Sequence, residues 1–168
     1  MTRCRVLLFL VALLASAGCD HATKRLAREV LAESPGVSLA ADTVRFELAM
    51  NPGGFLSFGA GLPAEVRSLF FIAVVPLGLL LVCVLLFRAG PLPGGSLIGL
   101  GLVAGGGLAN WIDRLVHGGA VTDFVSLGLG GFRTGIFNVA DVSVMAGVVV
   151  LLLASRTNDA TQRAAEHR

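Results

Sequence analysis

The stretch FFIAVVPLGLLLVCVLLF, residues 70–87, carries no charged, amide or hydroxyl side chain, and it is close to the roughly 20 apolar residues a helix needs to cross a bilayer. Two further runs, Leu97 to Leu108 with its flanks and Phe137 to Ala154, have the same character, and Val6 to Ala17 is a shorter fourth. Composition agrees: of 168 residues 55% are hydrophobic and only 14% charged, with mean hydropathy +0.82. This is too apolar for a soluble domain of that length. The reading is a membrane all-α fold: a four-transmembrane-helix bundle with a small extracytoplasmic β-sheet and an interfacial helix. It forms a single integral membrane domain over 1–168.

Working outward, the helices are predicted at about 4–32, 63–88, 96–114 and 137–155, with extracytoplasmic loops at about 33–62 and 115–136. A loosely ordered polar tail is predicted over 156–168. Leu26, Val30 and Leu31 fall on one side of 24–33, opposite Arg25, Arg28 and Glu29, so the first helix is expected to continue into the interface. Val44, Phe46, Leu48 and Met50 alternate with Arg45, Glu47 and Ala49, the period-two pattern of a half-buried strand. A second strand is expected within 118–127. Pro76 is expected to kink the second helix. Gly95, Gly99, Gly101, Gly105 and Ala109 recur at spacings that let helix backbones approach closely, so the third helix should be packed within protein.

Arg3, Arg5 and the apolar Val6–Ala17 run before Ser16-Ala17-Gly18-Cys19 imitate a secretory signal with a lipoprotein processing box. Ser16 stands where such boxes carry Leu, and three more membrane-length runs follow. An uncleaved first helix is therefore expected. Arginine is denser in the short 1–5, Arg88 and 156–168 segments than in the long first loop, which favours both termini in the cytoplasm.

An ionisable side chain at mid-bilayer costs about 2.5–3.5 kcal/mol on insertion scales, so acids beside apolar runs are where function is sought. Asp141 is the sole ionisable residue of 136–154. With Asn138 three residues before it, it also fits a capping box. Asp123 lies in the strand-like stretch and arrives at the same membrane face. Two nearby carboxylates cannot both ionise cheaply; such a pair shares a proton, can deprotonate a water for attack on a carbonyl, and can protonate a leaving amine. Asn110 and Asp113 share a helix face, with Arg114 next in line, and Asp20 and Lys24 are spaced for an ordinary ion pair. No serine sits in a nucleophile elbow, and His21, His117 and His167 lack ligand spacing, so neither a metal nor a cofactor is implied. Cys4, Cys19 and Cys83 show no disulfide or metal pattern. A net charge of +2 without an aromatic-basic patch points away from nucleic acid.

Taken in order, residues 20–24 (DHATK), 51–58 (NPGGFLSF), 105–114 (GGGLANWIDR), 121–124 (VTDF) and 137–141 (FNVAD) closely resemble bacterial lipoprotein signal peptidase, signal peptidase II. The resemblance implies a four-helix inner-membrane aspartyl endopeptidase, inhibited by globomycin. Its reaction is cleavage of diacylglyceryl-modified prolipoproteins before the lipidated cysteine. It assigns Asp123 and Asp141 as the catalytic pair, Asn51, Gly53, Asn110, Arg114 and Asn138 to substrate binding, and Asp20, Lys24 and Asp113 to support of the fold. The expected partners are lipidated prolipoproteins and membrane lipids, and the protein is expected to be a monomer. Phe55-Leu56 and Ala109 depart from the family pattern, at the substrate-facing loop and at a helix contact. The competing expectation is a small polytopic transporter or channel component using Asp123 and Asp141 as proton or cation sites. A third is a lipoprotein anchored through Cys19.

Overall fold

The computed structural model describes the backbone of residues 3–88, 90 and 92–166, and side-chain surroundings for 4–88, 90 and 92–156. Parts of the expected 88–95 turn and the last two residues of the expected tail lie outside that description. Four helices are long and apolar enough to cross a membrane. The first is α1 (Arg3–Leu31); the second is a rod made of α2 (Ala64–Ser68), a π-helical stretch (Leu69–Val74) and α3 (Val75–Arg88). The others are α4 (Gly94–Val116) and α5 (Val139–Glu166). α1 runs unbroken through the processing-box mimic, since Gly18 is its sole glycine and it contains no proline. α5 runs past its expected end near Ser155 and continues to Glu166. No Gly or Pro interrupts residues 155–166, so nothing in the chain stops the helix there.

α4 is the centre of the bundle, packed extensively on α1 and α5. A Cβ on Gly101 would lie 2.7 Å from the Phe9 carbonyl oxygen of α1, and one on Gly106 would lie 2.5 Å from that of Ala140 in α5. Glycine at these positions lets backbones meet where any side chain would hold them apart. The α2–α3 rod packs lightly, with Phe71 its one buried residue among those described. The irregularity expected at Pro76 takes the form of the π-helical stretch just before it. Pro76 has no N–H to give the Ile72 carbonyl four residues earlier. The Trp111 indole of α4 donates to that carbonyl instead, at 2.9 Å.

Above the helices lies a four-stranded antiparallel sheet in the order β1 (Val37–Leu39), β2 (Val44–Asn51), β3 (Val121–Leu129), β4 (Phe132–Arg133). The two expected strands are β2 and β3. The short edge strands carry too few residues to show a period; Asp42, in the turn between β1 and β2, pairs with Arg45 of β2 at 2.8 Å and with Arg133 of β4 at 2.6 Å. Two strand details differ from simple alternation. A bulge between Phe46 and Ala49 shifts the pairing from Phe46↔Val125 to Ala49↔Asp123, so Met50 is half exposed while Asn51 is buried on the face of Asp123. The inner end of β3 is buried on both faces: Asp123 turns to the site, and Phe124 packs with Ala27 and Leu31 at the end of α1.

Candidate active site

The polar side chains from the five sequence blocks converge where β2, β3 and the first turn of α5 meet α4. Asn51, at the end of β2, folds its own turn: its Oδ1 accepts the Gly53 N–H at 2.8 Å and its Nδ2 donates to the Gly54 carbonyl at 2.9 Å. The same Nδ2 donates to Asp123 Oδ2 at 2.8 Å. A Cβ on Gly53 would sit 2.6 Å from the Phe58 carbonyl oxygen, so this turn closes with glycine alone.

Asn138 and Asp141 form the reciprocal cap of α5. The Asp141 N–H donates to Asn138 Oδ1 at 2.9 Å, and the Asn138 N–H donates to Asp141 Oδ2 at 3.3 Å. The capping reading and the site reading therefore hold together. With the cap made, Asn138 Nδ2 is free to donate to Asp123 Oδ1 at 2.6 Å, so one residue contacts both acids. Asn110, from α4, donates to Asp141 Oδ1 at 3.0 Å. Each carboxylate thus has both oxygens held by neutral amides, and Asp123 is 1% exposed. Its carboxyl is pushed up to about 6 by burial, against the pull of the Asn51 hydrogen bond and with the charge of Asp141 adding to the rise.

Arg114 holds the β2 turn to α4. Its Nη2 donates to the Gly53 carbonyl at 2.6 Å, its Nη1 donates to the Asn110 carbonyl at 3.2 Å, and its guanidinium lies 4.8 Å from the centroid of the Phe71 ring. Phe71 was not legible as a site residue because it sits in an unbroken apolar run, where nothing separates a lipid-facing ring from one turned inward. Behind the site, Lys24 and Asp20 are fully buried, with Lys24 Nζ 2.7 Å from Asp20 and 3.0 Å from Asp113. Asp113 Oδ2 also accepts the Thr122 N–H at 2.8 Å, beside Asp123 in β3.

In front of the site is a cavity of about 1000 Å³, walled by apolar side chains of α1, the α2–α3 rod, α4 and α5. Asn110, Arg114 and Asp141 are on its wall, along with Gly54 and Phe55 of the β2 turn, while Asp123 sits behind Asn51 and Asn138. An acid at the edge of a water-poor apolar chamber can transfer protons to and from a bound group whose remainder is apolar.

A model of the family described as Signal peptidase (SPase) II matches residues 11–157. A lipoprotein signal peptidase of Desulforapulum autotrophicum is 34% identical over 90% of this chain and 92% of its own length. One from Rhodococcus jostii is 35% identical over 96% of this chain and 80% of its own. A solved structure described as a bacterial membrane enzyme, determined in meso at 2.3 Å resolution, superposes with a TM-score of 0.74 at 20% identity, covering 91% of this chain and 90% of that one. Its fold is shared. These similarities lend no support to the transporter alternative. Residues 11–157 take in most of the first apolar helix, the other three membrane-length stretches, the sheet and every side chain of the site, and over that span the chain belongs to the signal peptidase II family.

Proposed function

We propose that the chain is an aspartyl endopeptidase that cleaves diacylglyceryl-modified prolipoproteins just before the lipidated cysteine, with Asp123 and Asp141 as the catalytic pair. The observation that carries this reading is the placement of both acids on one residue, Asn138, at the polar end of a large apolar cavity. The cavity suits acyl chains, and a cysteine whose lipid occupies it has its preceding peptide bond beside Asp141.

In this reading Asp141, at the cavity wall, takes the proton of the attacking water as that water adds to the scissile carbonyl. Asp123, whose carboxyl burial makes easier to protonate than an ordinary aspartate, carries the pair's shared proton in this reading and polarises that carbonyl. Collapse of the tetrahedral intermediate sends a proton to the leaving amine and restores the pair. Asn51, Asn110 and Asn138 hold the carboxylates in register. The Arg114 Nε–H has no hydrogen-bond partner among the described residues, and it is a donor for a substrate backbone carbonyl.

The sheet strands all lie in the connections between α1 and α2 and between α4 and α5, so with four crossings both termini fall on the side opposite the sheet. Together with the arginine distribution, this supports a multi-pass protein of the bacterial inner membrane, in contact with lipid, with cytoplasmic termini and an extracytoplasmic site, and a monomer is the state in which we propose it acts. The test is cleavage of a lipidated against an unlipidated prolipoprotein by the purified protein, alongside Asp123→Asn and Asp141→Asn. Cleavage confined to the lipidated substrate, blocked by globomycin and lost by about 10²–10⁴-fold or more in either variant, is expected. Full activity in a folded variant would refute the assignment.

A further inference from the structure

Lys24 makes more contacts than an ion pair needs. Its ammonium is fully buried and off the cavity wall; it lies 2.7 Å from Asp20 Oδ2 and 3.0 Å from Asp113 Oδ2 as ion pairs, and it donates a hydrogen bond to Asn110 Oδ1 at 2.8 Å. An ammonium has N–H groups and no lone pair, so it can only donate. The bond to Asn110 has a consequence for the site, because an asparagine amide can face a neighbour with either its oxygen or its NH2.

A group that can only donate admits one orientation. With Oδ1 turned to Lys24, and to the Asn138 Nδ2 at 3.1 Å, the Asn110 NH2 is turned to Asp141 Oδ1 at 3.0 Å. Flipped, Asn110 would set its NH2 against two donors and its oxygen against a carboxylate. The opposite partner of Lys24 acts on the same target: Asp20 Oδ1 accepts the N–H of Ala140, the residue before Asp141, at 2.8 Å. The buried pair on α1 therefore fixes both the backbone that carries Asp141 and the amide that binds it.

We infer that Lys24, with Asp20, is a positioning residue for the acid pair, acting through the orientation of the Asn110 amide rather than only holding α1 to α4. This rests on the peptidase reading above.

The test is a double-mutant cycle on cleavage of a lipidated prolipoprotein by the full-length protein in detergent, using Lys24→Met, Asn110→Ala and the double variant, with thermal unfolding as the fold check. Lys24→Met is expected to lower kcat by about 10–100-fold with KM nearly unchanged, as for a misplaced reacting group. The double variant should be no slower than Asn110→Ala, because the effect of Lys24 passes through that amide. Lys24→Gln, which keeps N–H donors, should recover part of the loss, and it replaces Lys24→Met in the cycle if the latter does not fold. Unchanged kcat in a folded Lys24 variant, losses that multiply in the double variant, or failure of both Lys24 variants to fold would overturn the inference. A wild-type protein that cleaves no lipidated substrate would instead overturn the peptidase reading, so the two failures are distinct.

Discussion

Asn138 and Asp141 satisfy each other's backbone: each donates its N–H to the other's side-chain oxygen, at 2.9 and 3.3 Å, and the exchange leaves Asn138 Nδ2 to bind Asp123 at 2.6 Å. The two residues that start the helix thus also supply one acid of the pair and the amide that holds the other. Asp141 Oδ2 is committed to the cap, while Oδ1, on the Asn110 side, belongs to the cavity end of the site.

Asn138→Ala should therefore show two losses together. Removing the cap is expected to cost about 1 kcal/mol of stability, read by thermal unfolding in detergent. Loss of the bridge between the acids should lower kcat by about 10–100-fold. Wild-type kcat in this variant would remove Asn138 from the site.

The raised ionisation of Asp123 has a defined sign. Its ordinary value of 3.8 applies to the unfolded chain, and about 6 to the folded one. Below pH 3.8 the carboxyl is neutral in both states and its stabilising contribution is fully present; that contribution is lost as pH rises through about 6. Compared with Asp123→Asn, the wild-type protein should lose up to roughly 2–3 kcal/mol between pH 4 and 7. Chemical denaturation at a series of pH values measures this. In Asp141→Asn, with the neighbouring charge gone, Asp123 should titrate lower by infrared spectroscopy of the carboxyl stretch.

Two glycine replacements separate packing from propensity. In Gly106→Ala the new methyl meets the Ala140 carbonyl oxygen at 2.5 Å, so α4 and α5 must part, at about 1–3 kcal/mol. A Cβ on Gly78 has nothing within 4 Å, and Gly78→Ala should be neutral or stabilise the second rod by about 0.5–1 kcal/mol. Thermal unfolding of the two variants side by side tests the contrast.

Arg114→Lys keeps the charge but loses the planar fork that reaches the Gly53 and Asn110 carbonyls while lying over Phe71. With the β2 turn released, kcat/KM should fall by about tenfold to a hundredfold, the equivalent of one charged hydrogen bond of about 1.5–3 kcal/mol. Steady-state kinetics on the lipidated substrate decide it, and an unchanged value would leave Arg114 outside the site.

Four crossings, two central strands, the packed third helix and the polar residues that the fold brings together could be read from the chain, whereas Phe71 could not. Each leaves a local mark: an apolar run of membrane length, a period of two, small residues at helical spacing, an acid where hydrocarbon is expected. The cap of Asn138 and Asp141 was legible for the same reason, since its partners are three residues apart. Nothing local in 44–51 announces the bulge that turns Asn51 toward Asp123, because the extra residue is defined by what β3 places opposite it. Nor does the i,i+4 spacing of Asp20 and Lys24 show that their charges are buried against Asn110, Asp113 and Ala140, more than eighty residues away. Direction and partnership of side chains come from packing between distant segments. In this protein that packing turns a common surface pairing of opposite charges into the support of an acid pair.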